Sequence, residues 1–169
     1  ASAVARLHGG ADLENQYRFV LGRYKFRVFD GVSRLGKTAF AKDRVTPDEF
    51  VEVNLAGGAA IDLGAYPMWE HTLVLFDEAE PKQILSNKKL FQAGPSPCQL
   101  QTSTTNCHAY NVYVGGKMFV ICSNLWQERM ASLSPADHEW IVRNSVYLRV
   151  TEPMWAPAGD AYAAMSAMG

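Results

Sequence analysis

A surplus of charge of either sign is missing from this sequence: sixteen Lys and Arg stand against seventeen Asp and Glu, a formal net charge of −1. A protein that held nucleic acid through its overall field would be strongly basic, so any such contact has to come from a local cluster. Cysteine is scarce as well. Cys98, Cys107 and Cys122 form an odd set without framework spacing, which excludes a disulfide scaffold and suits free thiols in a reducing, intracellular setting. No apolar run approaches the roughly twenty residues of a membrane span. Nothing in the first residues reads as a signal peptide, and no segment repeats. The chain does not open on Met and reads as a piece of a longer protein. What is present, 169 residues with 48 % apolar and 20 % charged side chains, suits one soluble globular domain with a real core.

The chain alternates between two periodicities. Residues 1–11 are small and Gly-containing and read as a frayed start. From Asp12, Leu13, Tyr17, Val20 and Leu21 share one helical face, with Gly22 as a stop. Tyr24–Phe29 and Phe50–Leu55 read as strands, and Gly57-Gly58 breaks the second. Thr72–Phe76 is a continuous apolar run, as expected of a strand buried on both faces of a parallel sheet. A helix is predicted from Pro81 to about Phe91, ended by Gly94-Pro95-Ser96-Pro97. Two strands, Tyr110–Val114 and Lys117–Cys122, flank Gly115-Gly116, a two-residue hairpin signal. Ser134-Pro135 opens a helix to about Arg143, and Ser145–Val150 reads as a last strand. The tail after Val150 has no periodicity. Strands alternating with helices imply an α/β three-layer fold.

Three strand ends carry chemistry. Gly31-Val32-Ser33-Arg34-Leu35-Gly36-Lys37-Thr38 matches G-x-x-x-x-G-K-[ST] in full, between a predicted strand and a predicted helix. Gly31 and Gly36 let the backbone curl so that its N–H groups face phosphate oxygens, and the following helix adds its positive end. Lys37 would bridge the β- and γ-phosphates of ATP or another nucleoside triphosphate, and the Thr38 hydroxyl would take one Mg²⁺ position. An ordinary glycine turn meets such a pattern by accident, but rarely with both flanking elements in place. Leu73–Phe76 then delivers Asp77 and Glu78 to the edge where α/β sheets place ligands. Asp77 would hold Mg²⁺ through a water, and Glu78 would orient or deprotonate the attacking water. Finally Phe119–Cys122 leads to Ser123-Asn124, where an amide can sense the γ-phosphate or cap the next turn.

The order GVSRLGKT, LVLFDEA, VGGK and FVICSN resembles the superfamily 3 helicases, and most of all the ATPase domain of replication initiator (Rep) proteins of small circular single-stranded DNA viruses and their relatives. The resemblance covers roughly Asp12 to Val150. It implies a P-loop NTPase domain over 12–150, AAA+-like and of superfamily 3 type, with a mainly parallel central sheet and an inserted β-hairpin. Residues 1–11 and 151–169 would be flanking segments. It also implies a homo-oligomeric ring, hexameric by preference, that hydrolyses ATP to move single-stranded DNA in the nucleus or cytoplasm of a host cell. On this pattern Lys117 takes the place of the hairpin lysine that faces DNA in the pore. Arg143 takes that of the arginine finger reaching a neighbour's nucleotide, with Arg129 and Arg149 behind it. Two departures stand out. Val32, Ser33, Arg34 and Leu35 replace the Pro and Gly usual in these loops, so Arg34 either reshapes the loop or contacts phosphate itself. No paired-histidine metal motif or nucleophilic tyrosine in context accompanies the domain, so nicking and joining are not expected of this chain.

Other clusters read more plainly. Cys98, Cys107 and His108 match no common zinc spacing. Lys82, Lys88 and Lys89 suit a solvated helix face better than a DNA contact. Trp69, Trp126, Trp140 and Trp155 suit core or interface better than base stacking. Two other functions share the same loop: a small-molecule kinase, which needs an arginine-bearing lid, and a Rep-like module that binds nucleotide without moving DNA.

Overall fold

The computed structural model describes residues 25–43, 46–68, 70–101 and 109–154. The predicted helix from Asp12, Cys107, His108, Trp69, Trp155 and the tail lie outside the described residues. Five short strands form one sheet: β1 (Phe26–Asp30), β2 (Phe50–Asn54), β3 (Leu73–Asp77), β6 (Met118–Ser123) and β7 (Ser145–Arg149). Their spatial order is β2-β3-β6-β1-β7 and every pairing is parallel. β3 and β6 are apolar up to their last residue because both of their faces are covered; Leu73, Val74, Leu75 and Phe76 are all buried.

The two faces carry different cores. On one, α1 (Lys37–Lys42) lays Phe40 and Ala41 over Phe29, Leu73, Leu75, Val120 and Cys122. On the other, the larger core gathers Phe26, Phe76, Phe91 and Phe119, whose ring centroids lie 5.0 to 5.7 Å apart in tilted and edge-to-face contacts. Such aromatic pairs add about 0.5–1.5 kcal/mol each beyond their buried area. This face is covered by α2 (Pro81–Ser86), α3 (Lys88–Phe91), α4 (Trp126–Met130) and α5 (Pro135–Asn144). The helix predicted from Pro81 is thus two pieces, broken at Asn87 (φ −126°, ψ 36°). The helix α5 starts as predicted, with the Ser134 hydroxyl accepting from Asp137 N at 3.2 Å.

The hairpin differs from expectation. Gly115-Gly116 does not join two paired strands. β5 (Ala109–Val112) pairs antiparallel with β4 (Cys98–Gln101), as a separate two-stranded sheet, while β6 sits in the central sheet between β1 and β3. The physical reason lies in burial. Phe119 to Cys122 are apolar on both faces and need the middle of a parallel sheet, whereas β5 alternates exposed and buried positions and suits an edge pair.

Register places the working ends in a row. Asp30 pairs with Ser123 and with Arg149, and Asp77 pairs with Cys122 and with Asn54. The chain turns after Asp30, Asp77 and Ser123 therefore leave one edge of the sheet side by side, with the β6 turn in the middle.

Candidate phosphate-binding site

The loop leaves β1 at Gly31, whose N–H donates to the Ser123 carbonyl at 3.2 Å. A Cβ at Gly31 would stand 2.3 Å from the Val150 carbonyl oxygen, so glycine is required where the loop passes the end of β7. At the other end Gly36 takes φ 76° and its carbonyl accepts from Phe40 N at 2.8 Å, starting α1. Between them Arg34 has φ 66°, in the left-handed region that a glycine enters freely and other residues only at a cost. The loop keeps its curl without the extra glycine, and the strain falls on an exposed arginine.

Lys37 is 7 % exposed. Its ammonium donates to Gly31 O at 2.7 Å, Val32 O at 2.8 Å and Asn124 Oδ1 at 3.0 Å. Burial lowers its pKa below the ordinary lysine value, opposed by Cys122, Asp30 and Asp77. The Asn124 amide also donates to Ser33 Oγ at 3.2 Å. One side chain from the end of β6 thus holds both the lysine and the loop crest. The Thr38 hydroxyl hydrogen-bonds Cys122, a buried thiol that desolvation pushes up to about 12.

Ser33, Lys37, Thr38 and Asn124 line a cavity of about 430 Å³ with Arg34, Asp77 and Glu78 in its wall. Glu78 takes φ 55° and donates its N–H to Asp77 Oδ1 at 3.2 Å. Backbone strain of this kind, next to a row of functional groups, is characteristic of working sites. A neighbouring cavity of about 210 Å³ shares Glu78 and Asn124 and adds Glu80 and Arg129, the last two paired at 3.7 Å. A larger cavity of about 500 Å³ lies between residues 58–61, α2 and β4. Its wall holds the amides of Gln83, Asn87, Gln99 and Gln101 but no charged group, so phosphate chemistry belongs to the first.

Gly31, Val32, Ser33, Arg34, Leu35 and Gly36 therefore form one loop running into Lys37 and Thr38 at the start of α1, and the fold brings it together with Asp77, Glu78 and Asn124. Among the described residues no three His, Cys, Asp or Glu cluster as a metal site. The Thr38 hydroxyl and the Asp77 carboxylate are hard oxygen donors on one cavity, a set that fits Mg²⁺ completed by substrate phosphates and water.

Two sequence-assigned residues lie elsewhere. Lys117 is 8 % exposed and donates to His71 O at 2.5 Å. It precedes β6, at the sheet edge opposite the loop, and burial lowers its pKa. Its ammonium, expected to face DNA in the pore of a ring, is tied here to backbone inside the domain. Arg143, at the end of α5, precedes the first residue of β7 and so also lies at the opposite edge. It is exposed and pairs with Glu139 at 2.6 Å, outside the cavity of its own chain. Arg129 is the arginine that lines the neighbouring cavity. Of the tryptophans, Trp126 is core at 1 % exposed. Trp140 packs on Phe26, with the Lys88 ammonium 5.3 Å above its ring, and Lys88 also pairs with Asp137 at 3.1 Å.

One residue escaped the sequence reading. Asp30, immediately before the loop, is a buried carboxylate that accepts from Trp126 N, Gln127 N and the Tyr147 hydroxyl. Its only sequence signal is an acid at the end of an apolar strand.

No family model matches this chain, and no curated protein matches it either. Among solved structures it is similar to the AAA+ ATPase Hsp104, reconstructed by cryo-electron microscopy in a closed state with ATPγS and FITC-casein. The TM-score is 0.54 at 15 % identity, over 88 % of this chain and 32 % of the Hsp104 chain. The chain thus spans about a third of that neighbour's length. At this identity the likeness concerns the fold alone. It is a P-loop-like α/β fold with a parallel five-stranded central sheet. Among the described residues, no helix is long and apolar enough to cross a membrane.

Proposed function

We propose that this domain binds ATP or another nucleoside triphosphate with Mg²⁺ and hydrolyses its terminal phosphate. The observation that carries the reading is the meeting of Lys37, Thr38, Asp77, Glu78 and Asn124 on one cavity, from three adjacent strand ends. Lys37, mostly buried, would pass from loop carbonyls to phosphate oxygens, where a desolvated ammonium acts more strongly than a hydrated one. Bound Mg²⁺ would neutralise charge on the β- and γ-phosphates. Asn124 contacts the lysine and stands beside Glu78, a placement that suits it to hold the water that Glu78 orients or deprotonates.

The motor reading goes further: a homo-oligomeric ring moving single-stranded DNA, with Arg143 as the finger. The order of the motifs supports it, and so does the exposed end of α5, where Arg143 is open to a neighbouring subunit. The AAA+ fold of Hsp104, seen with ATPγS, agrees with the nucleotide half of this reading. The burial of Lys117 favours a second reading, a Rep-like module that binds nucleotide without moving DNA.

Mg²⁺-dependent ATP hydrolysis, with and without single-stranded DNA, tests both for the wild type and Lys37→Ala. Turnover lost in the variant supports hydrolysis, and turnover that rises with DNA supports the motor. Turnover indifferent to DNA leaves the second reading. Equal turnover in wild type and Lys37→Ala would overturn the site.

A further inference from the structure

Asp30 ends β1 one residue before the phosphate loop and is 5 % exposed. A carboxylate taken out of water has to be compensated by donors. Three provide this: Trp126 N at 3.1 Å to Oδ1, Gln127 N at 3.2 Å to Oδ2 and the Tyr147 hydroxyl at 2.8 Å to Oδ2. The two N–H groups open α4, two and three residues beyond Asn124. The backbone carrying Asn124 is therefore pinned on both sides. Before it, Ser123 O accepts from Gly31 N at 3.2 Å; after it, Asp30 holds the first turn of α4.

We propose that Asp30 is a positioning residue for the hydrolysis site. By clamping the start of α4 to the end of β1, it fixes the Asn124 amide against the phosphate loop and ties both to the edge strand β7 through Tyr147. This rests on the nucleotide-hydrolysing reading above and adds a residue that touches neither nucleotide nor metal. The consequence of its loss follows from the geometry. Without the clamp, the α4 start can drift from β1, and the Asn124 amide, which spans Lys37 and Ser33, drifts with it. A displacement of about 1 Å at a positioned group costs up to roughly a hundredfold in rate, while loop contacts with the nucleotide survive.

The test is a double-mutant cycle in single-turnover hydrolysis, with nucleotide affinity measured in parallel. Asp30→Asn should lower the rate about ten- to a hundredfold with affinity changed less than about threefold. The same substitution should do little further in an Asn124→Ala background, because coupled residues are non-additive. Tyr147→Phe, which removes one of the three donors and leaves the core intact, should show the same coupling at smaller size. It carries the test should Asp30→Asn fail to fold. Rate losses that multiply in the double variant, or an unchanged rate in Asp30→Asn, would overturn the positioning role. A wild type that hydrolyses no nucleotide would overturn the reading beneath it as well, so the two failures are distinct.

Discussion

Lys37 and Asn124, 87 positions apart, meet at 3.0 Å through an ammonium donor and an amide oxygen. The lysine thereby has three acceptors, two from the loop backbone and one from the end of β6. The contact makes the state of the lysine legible at the turn that also faces Glu78.

Replacing Asn124 by Ala separates binding from chemistry. The lysine keeps two of its acceptors and its place, so nucleotide affinity should fall by less than about threefold, below 1 kcal/mol. Turnover should fall by about 10² to 10³, the usual cost of removing one preorganised polar group at a reacting centre. Equilibrium binding of a fluorescent nucleotide beside single-turnover rates checks this. Loss of affinity and rate in equal measure would place Asn124 in simple binding instead.

The two glycines of the loop should differ in how they fail. At Gly31 the obstacle is a backbone oxygen of β7, 2.3 Å from a Cβ, which cannot swing aside as a side chain would. Gly31→Ala should lower stability by about 3 kcal/mol or more, the upper end of overpacking costs. At Gly36 the obstacle is conformational, φ 76°, and Gly36→Ala should cost about 1–2 kcal/mol. Arg34 already occupies that region, so Arg34→Gly should relieve strain and change stability by less than about 1 kcal/mol, because the freer unfolded chain offsets the gain. Urea unfolding of the three variants gives the order.

Lys117 should behave as a structural residue. Its ammonium is buried and bonded to His71 O, so Lys117→Met removes a charge that folding had to desolvate but also frees a carbonyl. Stability should move by about 1–3 kcal/mol, and hydrolysis at saturating nucleotide should not. Any stimulation by single-stranded DNA should persist in the variant. DNA stimulation lost with unchanged stability would return the residue to a pore.

Much of this arrangement was readable in advance, for identifiable reasons. Buried parallel strands are apolar runs, so the polar residue that ends each one is conspicuous; Asp77 after Phe76 and Asn124 after Ser123 are found that way. The loop pattern needs no third dimension at all. What failed was pairing: Gly115-Gly116 looks like a hairpin because the local signal ignores which partner a strand finds, and β6 finds β1 and β3. Asp30 was hidden because its donors are backbone N–H groups of residues 126 and 127, which carry no side-chain signature. The break at Asn87 was hidden because Lys88 to Phe91 continue a helical composition. The arginines were ambiguous in a different way. Arg129 and Arg143 both follow Asn124, and only the turn between α4 and α5 sends one beside Glu80 and the other to the opposite edge.

Alkaline pH offers a last test, because the titrating groups act on stability in opposite directions. Tyr110 accepts from Leu63 N at 2.6 Å and donates to Asp62 Oδ1 at 2.7 Å, holding β5 to the segment after β2. Burial first, and then the bond to Asp62, push its pKa up to about 12, and burial with Asp30 does the same for Tyr147. A phenol whose folded pKa is raised keeps its proton longer when folded than when unfolded. Its contribution is therefore complete below the unfolded value near 10 and is lost as pH rises toward 12. Lys37 and Lys117 act oppositely. Their folded pKa values are lowered, so the unfolded chain binds the extra proton and their penalty fades as pH rises toward 10.5. The Cys122 thiol, raised from 9.0 to about 12, adds a loss that begins near pH 9, so stability should hold to about pH 9 and fall increasingly steeply above it. Tyr110→Phe should cost about 1–2 kcal/mol near neutral pH, for two lost hydrogen bonds, and should flatten the fall above pH 10. Urea midpoints across that range, read beside phenolate absorbance, decide the matter. An equally steep fall in the variant would assign the alkaline loss to Tyr147 and Cys122 instead.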